Sequence, residues 1–94
     1  MLNKQKFNIE SAIDNTPIIL LKNYSQNRVF AKIEGANFFG SMKDRSANYV
    51  LKELLKQNVI NSQTTIIEST SGNMGVALAG ICNQLNLKIP FFLN

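Results

Sequence analysis

The chain has 94 residues, 45% of them hydrophobic, and a formal net charge of +4. That length suits one small domain or part of a larger one, and that apolar share points to a globule rather than a disordered chain. One cysteine, Cys82, and no histidine exclude a disulfide framework, a Cys/His zinc site and a His-dependent triad within these residues.

The lysines and arginines are scattered and form no stripe. The charge therefore reads as solubility, and no nucleic-acid partner is expected. No apolar core follows Met1–Lys6, and no apolar run approaches ~18 residues, so neither a signal peptide nor a membrane span is expected. A single cysteine fits a reducing compartment, and the cytoplasm is the expected location. A chain this short buries only about 60–65% of its unfolded surface, so an uncovered sheet edge would be costly.

In chain order, residues 1–7 read as a mobile lead, and Ser11–Asn15 as a short helical turn. Thr16-Pro17 opens a continuous apolar run, Ile18–Leu21, short enough for a buried strand. Asn23–Asn27 is polar and reads as a turn. Arg28–Glu34 alternates, with Val29, Ala31 and Ile33 on one side, which predicts a second strand with one face well buried. Gly35–Gly40 is a loop carrying Phe38 and Phe39, two aromatics that need cover.

The stretch Gly40-Ser41-Met42-Lys43-Asp44-Arg45 then starts a helix. Ser41 followed three residues later by Asp44 is a capping-box pattern, so Ser41 is the expected N-cap. Ala47, Val50, Leu51, Leu54 and Leu55 form one apolar stripe, and the helix is predicted over Lys43–Gln57. Lys43 thus lies in the first helical turn, with Arg45 close by. The positive end of the helix dipole and the arginine both disfavour an ammonium there, as a Schiff-base lysine requires. A lysine at a helix start is more commonly a solvated surface residue, and on its own Lys43 carries little weight.

After a connection over Asn58–Gln63, Thr64–Glu68 is β-rich. Ser69–Asn73 is a loop of capping residues. A helix is predicted over Met74–Leu85, with Met74, Leu78, Ile81, Cys82 and Leu85 on one side and Asn86 ending it. Cys82 falls on that apolar side and reads as a core thiol. Ile89–Leu93 reads as a further strand. Strand, helix, strand is a βαβ unit, which predicts a parallel sheet and a right-handed crossover. The chain stops at Asn94, where such a sheet would continue, so the expectation is the opening part of a larger α/β protein.

Two stretches could carry chemistry. Gly35 and Gly40 have Walker A spacing, but Ser41 stands where that motif needs lysine, and the P-loop reading fails. The loop Thr70-Ser71-Gly72-Asn73-Met74-Gly75 follows a strand and opens a helix, the usual address for ligands in α/β sheets. A helix start offers free N–H groups to a carboxylate or phosphate, and Thr70, Ser71 and Asn73 add polar side chains. The same residues are ordinary helix caps, and alone the loop is better read as one. Gly75 costs ~1 kcal/mol in a helix against alanine, and a ligand close to the backbone would account for it.

Taken together, Thr16-Pro17, the strand ending at Glu34, the Gly40–Arg45 stretch and Glu68-Ser69-Thr70-Ser71-Gly72-Asn73-Met74-Gly75-Val76-Ala77-Leu78-Ala79 resemble the opening half of the cysteine synthase-like enzymes. These are pyridoxal-phosphate-dependent enzymes of the tryptophan synthase β-like fold. The resemblance covers residues 9–92. It implies an α/β, three-layer fold with a parallel sheet, of which residues 1–94 form the N-terminal portion, a partial domain.

It further implies that Lys43 forms the Schiff base with pyridoxal 5′-phosphate and that Asn73 hydrogen-bonds the cofactor's 3′-oxygen. Thr70, Ser71, Gly72 and Asn73 would bind the carboxylate of a small amino-acid substrate. The implied reaction is β-replacement on an activated serine, O-acetylserine or O-phosphoserine, by a homodimer. The Glu68–Gly75 run also resembles the subgroup that makes N-(2-amino-2-carboxyethyl)-L-glutamate.

Three departures stand out. Phe38 follows Asn37 where the family has proline, which predicts a less rigid turn. Met74 replaces a threonine. The glycine-rich loop for the cofactor phosphate and the residue facing the pyridine nitrogen lie later in the family's chains. The 94 residues alone are therefore expected to be inactive. The rival readings are a serine or threonine dehydratase that carries out β-elimination, and a non-catalytic remnant or interaction module pairing through its sheet edge.

Overall fold

The computed structural model describes residues 9–70 and 72–90. The expected N-terminal lead, Ser71, and the end of the expected Ile89–Leu93 strand lie outside the described residues. The element order is α1 (Ile9–Ala12), β1 (Ile18–Tyr24), β2 (Asn27–Lys32), α2 (Lys43–Lys56) and α3 (Asn73–Gln84), with a 3-10 turn at Glu34–Ala36.

β1 and β2 pair antiparallel through a two-residue turn at Ser25 and Gln26, with Tyr24 opposite Asn27. The register slips between Leu20 and Lys22, which leaves Leu21 as the extra residue of a bulge. A bulge exchanges the faces of the residues beyond it. Two residues apart beyond the bulge, Lys22 and Tyr24 share one side by ordinary strand alternation, the ammonium 4.6 Å from the ring centroid. Arg28 joins Phe30 on the other, at 5.7 Å.

Two strand expectations are corrected here. Ile18–Leu21 is not a buried strand, and β2 does not bury one face. Every residue of β1 is exposed, and in β2 only Ala31 is half-buried. The reason is geometric: the hairpin packs on neither α2 nor α3, so no described element covers it.

The parallel pairing expected of the βαβ unit is present in its barest form. Thr65 and Lys88 make a parallel bridge, and the Ile66 N–H donates to the Lys88 carbonyl at 2.7 Å. With the helix between them, the chain has the predicted α/β character.

The core lies between α2 and α3. Ile13, Ala47, Leu51, Ile60, Ala77, Leu78, Ile81, Cys82 and Leu87 are buried, with Phe39, Leu54, Leu55, Ile66, Met74, Leu85 and Ile89 packed around them. Each large aliphatic side chain so buried is worth about 1.5–3 kcal/mol. The α3 stripe is as expected. The α2 stripe is rotated: Asp44, Ala47, Asn48 and Leu51 face inward, whereas Val50 is half exposed. Phe39 reaches over from the loop before α2 and lies against Gly80, where any added Cβ would overlap its ring.

Both long helices end alike. Asn58 and Asn86 take the left-handed conformation, at φ 58° and 57°. Val59 then donates to the Leu54 carbonyl, and Leu87 to that of Cys82, each at 2.9 Å. These are the six-to-one hydrogen bonds of a Schellman cap, in which the tolerance of asparagine for positive φ substitutes for glycine.

Candidate functional site

The start of α2 is held by the loop before it. Gly40 sits at φ +93°, a conformation that favours glycine over any residue with a Cβ. Ser41 is buried, and its hydroxyl accepts the Lys43 N–H at 3.1 Å. The helix begins at Lys43 as predicted, but the N-cap position falls to Met42 rather than Ser41, so Ser41 caps from just outside. Asp44 does not complete the box. Its carboxylate, fully buried, accepts the Phe39 N–H at 2.6 Å instead.

The expected looseness at Asn37-Phe38 is also corrected. Asn37 is buried, accepts the Asp14 N–H at 3.2 Å and donates to the Ser41 carbonyl at 2.9 Å. The Phe38 N–H donates to the Ala12 carbonyl at 3.1 Å, a bond that proline could not make. Hydrogen bonds thus fix the turn that proline would otherwise stiffen.

Lys43, the first residue of α2, is exposed, and its amine meets no hydrogen-bond or ion-pair partner among the described residues. Arg45 does not act on it as an unpaired neighbouring charge. Its guanidinium hydrogen-bonds Glu34 through Nε and, at 3.1 Å, through a terminal nitrogen. It also reaches Asp14 at 2.8 Å and the Thr16 hydroxyl at 3.1 Å. Thr16 in turn donates to Glu34, and the Lys32 ammonium donates to the Thr16 carbonyl. The Arg45 and Thr16 hydrogen bonds outweigh burial and hold the Glu34 carboxyl down at about 2. Glu34 correspondingly raises the guanidinium's pKa.

At the other helix start, Thr70 organises the loop. Its hydroxyl oxygen accepts the N–H of Gly72 at 3.3 Å and of Gly75 at 3.0 Å. The intrahelical ladder begins with Val76 donating to the Gly72 carbonyl at 3.2 Å. The N–H groups of Asn73 and Met74 therefore have no acceptor within the helix. Asn73 is exposed, and Gly72 is exposed in extended backbone at φ −174°. Gly75 is explained from within the protein: a Cβ there would lie 2.5 Å from the Thr70 methyl. Ser71 lies outside the described residues.

The structure thus joins Thr70 to Gly72 and Gly75, and Lys43 to Ser41. Among the described residues no hydrogen bond or ion pair links Lys43 to Thr70, Gly72 or Asn73. Reading the sequence missed Asp14, Thr16, Glu34 and Asn37 as residues that build the loop. A signal was available for one of them, since Asn37 is a buried-polar candidate between two turn glycines.

Comparison with known proteins places the chain in one family. The profile described as "Pyridoxal-phosphate dependent enzyme" matches residues 9–93. Cysteine synthase B of Campylobacter jejuni is 50% identical over 80 residues, covering 85% of this chain and 26% of that protein. A hydrogen sulfide-producing enzyme from Fusobacterium nucleatum is 37% identical and superposes with a TM-score of 0.77, over 95% of this chain and 29% of its own. An O-acetylserine dependent cystathionine beta-synthase from Helicobacter pylori is 36% identical, with a TM-score of 0.76, over 95% and 30%. The chain thus spans between a quarter and a third of the length of these relatives. With a family profile matched over residues 9–93 and a fold shared over nearly all its residues, this chain belongs to the pyridoxal-phosphate dependent enzymes.

Proposed function

We propose that residues 1–94 form the N-terminal portion of a β-replacement enzyme acting on O-acetylserine or O-phosphoserine, and supply its lysine and its carboxylate-binding loop. The observation that carries the reading is the exposed amine of Lys43 at the first turn of α2, without a partner among the described residues. A primary amine open to solvent and held on a fixed helix start is what a carbonyl-bearing cofactor must reach. The name of the Helicobacter pylori relative supports O-acetylserine as the donor.

The residues fit pyridoxal phosphate on the side they represent. Lys43 would hold it covalently, and Asn73 would donate its side-chain amide to the 3′-oxygen. When bound, the cofactor supplies an electron sink for the substrate's α-carbon. The Lys43 amine would also accept the proton from that carbon. Thr70 accepts two backbone N–H groups, which leaves its own hydroxyl proton to donate to the substrate carboxylate. The N–H groups of Asn73 and Met74, together with Ser71 and Gly72, complete an anion site at a helix start. On the family resemblance, the whole protein is a cytoplasmic homodimer with a small amino-acid substrate.

On the family resemblance the cradle for the cofactor phosphate lies later in the protein, so the 94-residue chain has little or no turnover in this reading. The test is to add pyridoxal phosphate to the chain and to Lys43→Ala, reduce with borohydride, and locate the label by peptide mass spectrometry. Consumption of O-acetylserine and O-phosphoserine is then assayed with sulfide and with glutamate. Labelling at Lys43, absent in the variant and with negligible turnover, is expected. Absence of preferential labelling at Lys43 overturns the lysine assignment. Vigorous Lys43-dependent turnover overturns the need for the rest of the protein. Ammonia release without an added nucleophile shifts the reading to the dehydratase.

A further inference from the structure

One polar cluster has no place in that chemistry. Arg45 is tied at once to Glu34 in the 3-10 turn after β2 and to Asp14 and Thr16 in the segment between α1 and β1. It bridges 31 residues of sequence to Asp14 and 11 to Glu34. Two of its partners are themselves joined, because the Thr16 hydroxyl donates to Glu34. Thr16 is buried and Glu34 half-buried, so the Arg45–Glu34–Thr16 part of the cluster is sheltered enough for its hydrogen bonds to count for more than those of a surface pair, whereas the bond to Asp14 is exposed.

The guanidinium is a rigid planar fork, and a fork bonded on several sides fixes both position and rotation. It is rooted in the first turn of α2. Residues two apart on a helix project about 200° from one another. Holding Arg45 against Glu34, Asp14 and Thr16 therefore holds Lys43 on the opposite side of the helix, where it is exposed. The residue between them, Asp44, is locked in a third direction by the Phe39 N–H. Without the Arg45 anchor, the first turn would keep the Ser41 cap, the Asp44 contact and its own backbone hydrogen bonds to Ser41 and Met42, but would lose its side-chain tie to Asp14, Thr16 and Glu34.

We infer that Arg45, Glu34 and Thr16 are positioning residues for Lys43: the cluster clamps the rotation and order of the first turn of α2, and so sets where the lysine amine is presented. The consequence for cofactor capture rests on the role proposed above for Lys43, whereas the clamp itself does not.

The experiment separates the two. Amide hydrogen exchange is measured on the full 94-residue chain and on Arg45→Met, Arg45→Lys and Glu34→Gln. The same proteins are treated with pyridoxal phosphate and borohydride, and labelling at Lys43 is expressed relative to Lys56, an exposed lysine at the other end of the same helix. In Arg45→Met, exchange at Ala47, whose N–H closes the first turn onto the Lys43 carbonyl, rises at least tenfold, with Leu55 unchanged. The Lys43-to-Lys56 labelling ratio falls at least tenfold. Arg45→Lys, which keeps the charge but not the fork, recovers only part of both, and Glu34→Gln shows a smaller loss of each.

Equal acceleration at Ala47 and Leu55 would mean loss of general stability and would overturn the clamp. Unchanged exchange at Ala47 would overturn it too. A disordered first turn with an unchanged labelling ratio would overturn its bearing on Lys43. If the wild-type chain shows no preference for Lys43 over Lys56, the functional reading fails while the exchange data still decide the clamp.

Discussion

The ring of Phe39 occupies the space that a side chain on Gly80 would need. The loop preceding Lys43 is thereby seated on the middle of α3, and Gly80 is bare because an aromatic fills its place. Alanine there would gain ~1 kcal/mol in helix propensity, but it would displace a rigid ring at a cost of about 1–3 kcal/mol. Gly80→Ala is therefore expected to lower the urea midpoint of unfolding. Phe39→Leu in the same background should recover part of the loss, because a flexible side chain can step aside.

Thr70 contributes a hydroxyl and a methyl to one loop, and the two can be separated. Thr70→Val removes the acceptor for the Gly72 and Gly75 N–H groups and should cost about 0.5–2 kcal/mol, as loss of a helix cap does. Thr70→Ser keeps the hydroxyl and should lie close to wild type. Gly75→Ala should destabilise because its Cβ would meet the Thr70 methyl, and the Thr70→Ser background should soften that effect. Thermal unfolding of the four proteins checks the pattern.

Glu34 makes stability depend on acid. Hydrogen bonds from Arg45 and Thr16 lower its carboxyl from the ordinary 4.5 to about 2. A carboxyl depressed in the folded state binds a proton less readily there than in the unfolded chain. Its contribution is therefore complete above about pH 4.5 and is lost as the pH falls toward 2. Glu34→Gln should flatten the stability profile across that window and leave its slope near neutrality unchanged. Urea titrations between pH 2 and 7 would show it.

Cys82 is fully buried in the α2–α3 core, and burial pushes its thiol up. Both effects suppress the thiolate that alkylating reagents require. Iodoacetamide at pH 8 is expected to leave the folded chain unlabelled and to modify it at the rate of a free thiol in urea. Rapid labelling without denaturant would contradict the packing of α3.

The two long helices were legible because their information is local. Apolar spacing predicted α2 and α3 to within a residue or two, and Asn86 marked an end that the left-handed backbone confirms. Burial was less legible. Ile18–Leu21 reads as a buried strand by composition, yet exposure depends on what lies over the hairpin, which those residues do not encode. Val50 and Asp44 exchanged expected places for a similar reason. The inward face of α2 is set by a hydrogen bond to Phe39 as well as by apolar spacing. At the site, the two helix starts could be recognised from their motifs. The Arg45 cluster could not, because its partners lie 11 to 31 residues away and pairing at such range leaves no periodic trace.

Three consecutive residues, Lys43, Asp44 and Arg45, point to solvent, to the preceding loop and to the polar cluster. That arrangement makes the protein unequally tolerant of changes in length. One residue inserted between Gly40 and Lys43 could be absorbed only by rotating α2 about 100°, which would turn all three assignments to the wrong side at once, or by bulging a loop pinned at Asn37 and Gly40. The connection after α2, exposed from Gln57 to Val59 and again from Asn61 to Gln63, has no such obligation, and surface turns of this kind accept extra residues readily. Of the two connections to α2, the one at its far end is therefore expected to accept lengthening and shortening, with the spacing from Asn37 to Arg45 held constant in any variant that still folds.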